Sequence, residues 1–303
     1  MARLYVAAQV YREVTALPNV SYRHGWMRRA KLGNREGGIG TALFGFRLFS
    51  RIGTYNKEIK MPERSRPMMT TEDGYMRLEY FSQYAAADSR RKEFDIRNHS
   101  LLRMRRKPDF LFIGDSITHY WELGAFFHRP EQLIVNRGIG GDTTAYLRKR
   151  FYVDALQLQP VNCILGIGIN DSIDLEGDYW KQLKPLPYDT VCSEACENVA
   201  DIIRQAKESK SRLILTSLLP IRIPILQREP IRKQYIRDMN GWLEETARRD
   251  GLIFVDYYSA MTDWQTDTVK DGLTYDGLHP NGRGYEVMAE VLQKKLLEYD
   301  ILL

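Results

Sequence analysis

Cysteine is nearly missing from this chain: there are three in 303 residues. That is too few for a disulfide framework, so the fold has to be held by its core rather than by covalent cross-links. Cys192 and Cys196 stand four apart in a stretch with helical patterning and would share one helix face, which reads as reduced thiols packed in a core. Long apolar runs are missing too. The longest, Leu213 to Ile221 and Cys163 to Ile169, fall well short of the roughly 18 residues that a membrane-crossing helix needs. Gln9, Arg12 and Glu13 interrupt the start of the chain before an apolar signal core can form, which makes a cytoplasmic location the expectation.

Cofactor signatures are also absent. A dinucleotide site wants Gly-x-Gly-x-x-Gly, but the first buried-type run ends in Gly114-Asp115-Ser116-Ile117-Thr118, and the Gly138 turn carries Thr143 where the third glycine belongs. No phosphate loop ending in Gly-Lys-Ser or Gly-Lys-Thr occurs. The acidic run Asp171, Asp174, Glu176, Asp178 invites calcium, yet an EF-hand beginning at Asp174 would need glycine at Tyr179 and glutamate at Pro185. It reads as a solvated loop, and neither a cofactor nor a metal is expected.

What is present is an ordinary globular composition, 44% hydrophobic and 27% charged. A chain of this length can bury about 75% of its unfolded surface. Its net charge of +5 hides an asymmetry: residues 1–107 carry 22 Lys and Arg against 10 Asp and Glu, and the remainder carry 22 against 29. From Pro108 onward short apolar runs alternate with longer amphipathic stretches. The runs are Phe110–Ile113, Leu133–Val135, Cys163–Ile167, Leu213–Leu218 and Leu252–Val255, and helical patterning covers about 143–158, 190–209, 230–249 and 283–298. Near-continuous apolar runs are what strands buried on both faces look like. The expected fold is therefore α/β: a three-layer αβα sandwich around a mainly parallel, doubly wound, flavodoxin-like sheet of about five strands. Its ligands should sit beyond the carboxyl ends of the strands.

Two parts are expected, a basic N-terminal extension over 1–107 and the α/β domain over 108–303. Within the extension, 1–32 has amphipathic character, Gly33 to Gly45 is glycine-rich, Met61 to Thr71 reads as a connector, and 75–106 patterns as helix. Arg28, Arg29, Lys31, Arg90, Arg91 and Lys92 could meet an anionic partner, but no nucleic-acid motif accompanies them. The favoured reading is an extension packed on the acidic part, with a homodimer through it left open and no nucleic acid expected.

Ser116 lies at the first strand-to-helix turn, where serine and aspartate are more often helix caps than reactive groups. At the far end of the chain stands Asp276-Gly277-Leu278-His279-Pro280, and His279 is the sole histidine after His128. A carboxylate three residues before an imidazole can fix its tautomer and leave the far nitrogen free to take a proton. Gly138-Ile139-Gly140-Gly141-Asp142 and Gly168-Ile169-Asn170-Asp171 follow the second and third runs, where an open backbone N–H and an asparagine amide could serve as donors to an oxyanion.

These four blocks, in this order, resemble the SGNH or GDSL-like hydrolases over about residues 108–299. Among them the chain is most similar to the branch of platelet-activating-factor acetylhydrolase subunits and carbohydrate acetylesterases, through Ser116-Ile117-Thr118, Trp121 and the Gly-Ile-Gly-Gly-Asp-Thr block. The resemblance implies Ser116 as nucleophile, His279 as base oriented by Asp276, and an oxyanion hole from the Ser116 and Gly141 N–H groups and the Asn170 amide. It implies a serine esterase working through an acyl-enzyme, with removal of acetyl from a carbohydrate or similar small alcohol as the expected reaction. Lipid acyl esters or thioesters are the alternative substrates, and a non-catalytic scaffold is the alternative class. Trp121, Glu122, Phe126 and Phe127 could be cleft wall or core, the apolar segment Leu218–Pro224 could border a small acyl pocket, and His119 and His128 read as surface or pocket-wall residues. Asn98-His99-Ser100 is a formal glycosylation sequon, expected to stay idle because no secretory signal is expected.

Overall fold

The computed structural model describes residues 69–70, 76–77, 85–177, 183–224 and 228–303. The stretches expected at 1–32 and Gly33–Gly45, and most of the 61–71 connector, lie outside them. All described residues belong to one compact unit, Pro67–Leu303.

Five parallel strands form the central sheet: β1 (Phe110–Gly114), β2 (Ile134–Gly138), β3 (Asn162–Gly166), β4 (Arg212–Thr216) and β5 (Ile253–Val255). Their spatial order is β2-β1-β3-β4-β5, with every neighbouring pair parallel. This is the flavodoxin-like order, and the chain direction across the sheet reverses at β1 and β3, opening a crevice beyond their carboxyl ends.

The pleat divides each strand between two cores. Leu111, Ile113, Cys163, Leu165, Leu213 and Leu215 face the helices Thr144–Asp154 (α4), Tyr188–Lys207 (α5) and Glu229–Asp250 (α6). Phe110, Phe112, Ile164, Ile214 and Val255 face the opposite layer, made by the short helices Leu123–Phe126 (α3) and Tyr257–Met261 (α7) and by Gly282–Leu297 (α8). Strands wrapped on both sides cannot alternate apolar with polar, which is why their runs are nearly continuous. Trp121 settles on the core side of its two readings: it is 4% exposed, and its ring meets Phe112, Phe127 and Tyr285 at 5.3–5.7 Å. Phe127 is buried with it, whereas Glu122 is exposed.

At the carboxyl edge Gly138, Gly114 and Gly166 stand side by side in register across β2, β1 and β3. A Cβ on Gly114 would collide with the Gly166 carbonyl, and one on Gly138 with the His119 backbone. This row lets the helix Ser116–His119 (α2) settle directly onto the end of the sheet. The sequence pattern predicts helix over 75–106; the structure shortens it. Helix α1 runs Ala85–Arg103, and Met76–Arg77 instead pairs antiparallel with Met69–Thr70. Arg103, Arg105, Arg106 and Lys107 do cluster at the helix end, where cations suit the dipole.

Helix α1 docks through a buried polar network beside the apolar contacts of Phe94, Leu101 and Leu102. Arg91 pairs with Asp154 at 2.5 Å and with Asp95. Asn98 accepts from Arg137 at 2.8 Å and donates to the Val153 carbonyl, so its amide sits in the interior. Beside it Phe94 is fully buried with Ile139, and the Arg137 guanidinium lies 4.9 Å from its ring centre.

Candidate active site

Four loops at the carboxyl edge assemble one site. Ser116 opens α2 immediately after β1 and is 6% exposed. Asp115 before it caps the helix by accepting from the Ile117 N–H at 2.9 Å. The capping reading of this turn therefore holds for the aspartate, and the serine hydroxyl is engaged elsewhere: Ser116 Oγ lies 3.0 Å from His279 Nε2. The other ring nitrogen, Nδ1, lies 2.7 Å from Asp276 Oδ2. Asp276 Oδ1 accepts from the backbone N–H groups of Leu278 and His279 at 3.0 and 2.8 Å.

These contacts determine the protonation pattern. Partial burial pushes the Asp276 carboxyl upward, but hydrogen bonds from the His279 ring and backbone, the histidine's charge and the Leu278 N–H outweigh it and bring it down to about 2. An ionised carboxylate only accepts, so Nδ1 carries the proton and Nε2 is left as the acceptor for the Ser116 hydroxyl. The loop holding the pair needs glycine at 277: its φ is +85°, and a Cβ there would collide with the Arg222 carbonyl. Arg222 in turn donates its N–H to the Gly277 carbonyl at 2.8 Å, so the segment after β4 does border the site, with Leu218, Leu219 and Ile221 turned into the core.

The other two loops stand beside the serine. Gly140 is close enough that a Cβ there would lie 4.0 Å from that of Ser116. Gly141 follows with φ +77°, exposed and with open space where a side chain would go. The Asn170 amide donates to the Asp142 carbonyl at 2.8 Å, tying the third loop to the second, and Tyr235 donates to the Gly168 carbonyl at 3.0 Å. Ser116, Asp276 and His279 thus meet directly, while Gly141 and Asn170 are brought to the same edge through their own anchors.

Two residues outside the expected site join it. Tyr120, 52% exposed, stands with its ring 5.7 Å from that of His279 and 4.9 Å from that of His119. His119 accepts the Gly140 N–H at 3.2 Å. Both lie one helical turn after Ser116, and that spacing is the signal that finds them. His128 is exposed.

The acidic run is not uniformly solvated. Asp171 is half-buried and accepts from the Thr144 N–H at 3.1 Å and its hydroxyl at 2.5 Å, at the start of α4, because that helix end has free donors and a favourable dipole. Among the described residues no group of three or more His, Cys, Asp or Glu could hold a metal ion. Burial raises Asp115 to about 7 and Asp142 and Asp171 each to about 6. For Asp115 the protonated form is favoured in the fold, so its contribution to stability is intact below about pH 4 and is lost as pH rises through 7. Asp115→Asn keeps an acceptor for Ile117 and cannot ionise. Its Tm relative to the parent should therefore rise between pH 5 and pH 8; an equal offset at both values would contradict the assignment.

A family model described as GDSL-like lipase/acylhydrolase matches residues 112–287. An acetylxylan esterase from Geobacillus stearothermophilus is 25% identical over 170 residues, spanning 54% of this chain and 71% of that protein. A GDSL-like lipase of known structure from Bacteroides thetaiotaomicron is 27% identical, with a TM-score of 0.57 covering 69% of this chain and 98% of that one.

Proposed function

The chain belongs to the GDSL-like lipase/acylhydrolase family and is a carboxylic ester hydrolase, and from that premise we propose that Ser116, His279 and Asp276 carry the reaction on a short-acyl ester, an acetyl group on a carbohydrate or similar alcohol. The observation that carries this reading is the continuous line from Asp276 through His279 to the Ser116 hydroxyl.

His279 Nε2 takes the proton as Ser116 Oγ attacks the ester carbonyl. The negative oxygen that develops is met by the Ser116 and Gly141 N–H groups and by the second N–H of the Asn170 amide, the first being committed to Asp142. Collapse returns the proton to the leaving alkoxide, releasing the alcohol and leaving acyl-Ser116. Water, deprotonated by the same imidazole, then releases the acid and regenerates the serine. Asp276, held as an anion, stabilises the imidazolium at both steps without accepting its proton.

A short acyl group is favoured because Tyr120 stands against the histidine and because Leu218, Leu219 and Ile221 are buried, leaving beside Asp115 and Ile117 a cavity of only about 30 Å³. The acetyl preference also follows the acetylxylan esterase named above. A fluorophosphonate probe should label the folded protein at Ser116 and leave Ser116→Ala unlabelled; failure to label would overturn Ser116 as the nucleophile. In a series of p-nitrophenyl esters kcat/KM should be greatest for acetate and decline with chain length. A maximum at eight or more carbons would transfer the assignment to lipid acyl esters.

A further inference from the structure

We infer that His119 is a positioning residue for this reaction, setting the Gly140–Gly141 turn beside Ser116 by accepting the Gly140 N–H at its Nδ1. The inference rests on the reading of Ser116 as nucleophile and the Gly141 N–H as a donor to the oxyanion.

The turn is pinned by three hydrogen bonds. The Ile139 N–H donates to the Gly114 carbonyl at 2.9 Å, the Gly140 N–H to His119 Nδ1 at 3.2 Å, and the Asp142 N–H to the Ile139 carbonyl at 3.2 Å. Each bond fixes one peptide plane, and together they bracket the Gly140–Gly141 peptide, whose N–H is the one assigned to the oxyanion. A donor aimed before the charge develops is worth more than one that must turn toward it. Gly140 sits between the two groups that matter: a Cβ there would lie 3.6 Å from His119 Nδ1 and 4.0 Å from Ser116 Cβ. Because Ser116 and His119 belong to the same short helix, one rigid element carries both the nucleophile and the acceptor that orients the turn opposite it.

This role requires His119 to be neutral, since a backbone N–H can donate only to an unprotonated nitrogen. Burial, helped by the charge of Arg90, lowers the ring's pKa to about 4, against a smaller opposing effect of Glu93. Tyr120 stacks on the ring from one side. Helix α1, which precedes the matched family region, supplies Arg90, and its Phe94 packs on Ile139 within the same turn. Helix α1 is thereby part of what holds the turn.

Steady-state hydrolysis of p-nitrophenyl acetate by the full chain tests this with His119→Leu, His119→Asn and Ser116→Ala, each checked by thermal unfolding. Asparagine can offer its Oδ1 near the position of Nδ1; leucine offers no acceptor. His119→Leu should lose about 10- to 100-fold in kcat, less than deletion of an oxyanion donor, because the donor is loosened rather than removed. Its KM should stay within about twofold, as expected for an interaction made in the transition state. His119→Asn should stay close to the parent. Equal impairment of both variants, a loss confined to KM, or parental kcat in the leucine variant overturns the inference while leaving the nucleophile assignment intact. Activity in Ser116→Ala overturns both. Should the leucine variant not fold, His119→Ala with added imidazole replaces it: recovery of kcat supports the role, and no recovery counts against it.

Discussion

Ser116→Ala should reduce kcat on p-nitrophenyl acetate by about 10⁴- to 10⁶-fold, with the protein still folded. The reason is local. The substitution removes one hydroxyl whose partner is His279 Nε2, in a loop already held by Asp276, Arg222 and the Asn281 cap of α8. The backbone around the serine keeps its own anchors, including the Asp115 cap and the Tyr285 hydroxyl that donates to the Ile117 carbonyl at 2.8 Å. His279→Ala should cost a similar factor, and the double variant should be no worse than either single, because nucleophile and base act as one unit. Retention of more than about a tenth of parental activity in both single variants would place the chemistry elsewhere, since a loss that small is less than removal of one oxyanion donor alone produces.

The second large effect is on stability. Arg150 is fully buried, and its guanidinium meets Asp142 at 2.7 Å, Asp154 at 3.2 Å, and the carbonyls of Arg137 and Gly114 at 2.9 and 3.1 Å. It links α4 to the ends of β1 and β2 directly beneath the site. Arg150→Met retains much of the volume but leaves Asp142 without its counter-charge and takes one donor from each of the two carbonyls, the Gly114 carbonyl keeping the Ile139 N–H. Breaking a buried pair from one side costs about 3–5 kcal/mol, or roughly 6–20 °C in Tm at about 2–4 °C per kcal/mol for a unit of this size. Asp142→Asn on top of Arg150→Met removes the stranded charge and should recover part of the loss, a coupling that a double-mutant cycle measures. A Tm within about 2 °C of the parent for Arg150→Met would mean that the network contributes far less than its burial implies. Because the Asp142 carbonyl orients Asn170, the folded fraction of Arg150→Met should also turn over more slowly.

Much of the fold was legible because the sheet is covered on both faces. That makes each strand a short apolar block, and the runs at 110–113, 163–167 and 213–218 mark β1, β3 and β4 to within a residue or two. The helices read equally well where one face is apolar, as in Tyr188–Lys207. Helix α1 was harder to bound because its docking face is partly polar: Arg91 and Asn98 are buried by pairing with residues from other parts of the chain, and periodicity does not register such partners.

By itself the sequence determined the α/β class, the order of the strands along the chain and the four short blocks at their ends, since these follow from local patterning and from residue types that few turns tolerate. Only the tertiary structure decided that Ser116 and His279, 163 positions apart, come within 3.0 Å, that Trp121 is core, that Asp171 is tied to a helix start, and that His119 grips the Gly140 N–H. Each of these depends on two distant loops meeting at one edge of the sheet, and that meeting is set by strand order and packing, which no local pattern encodes.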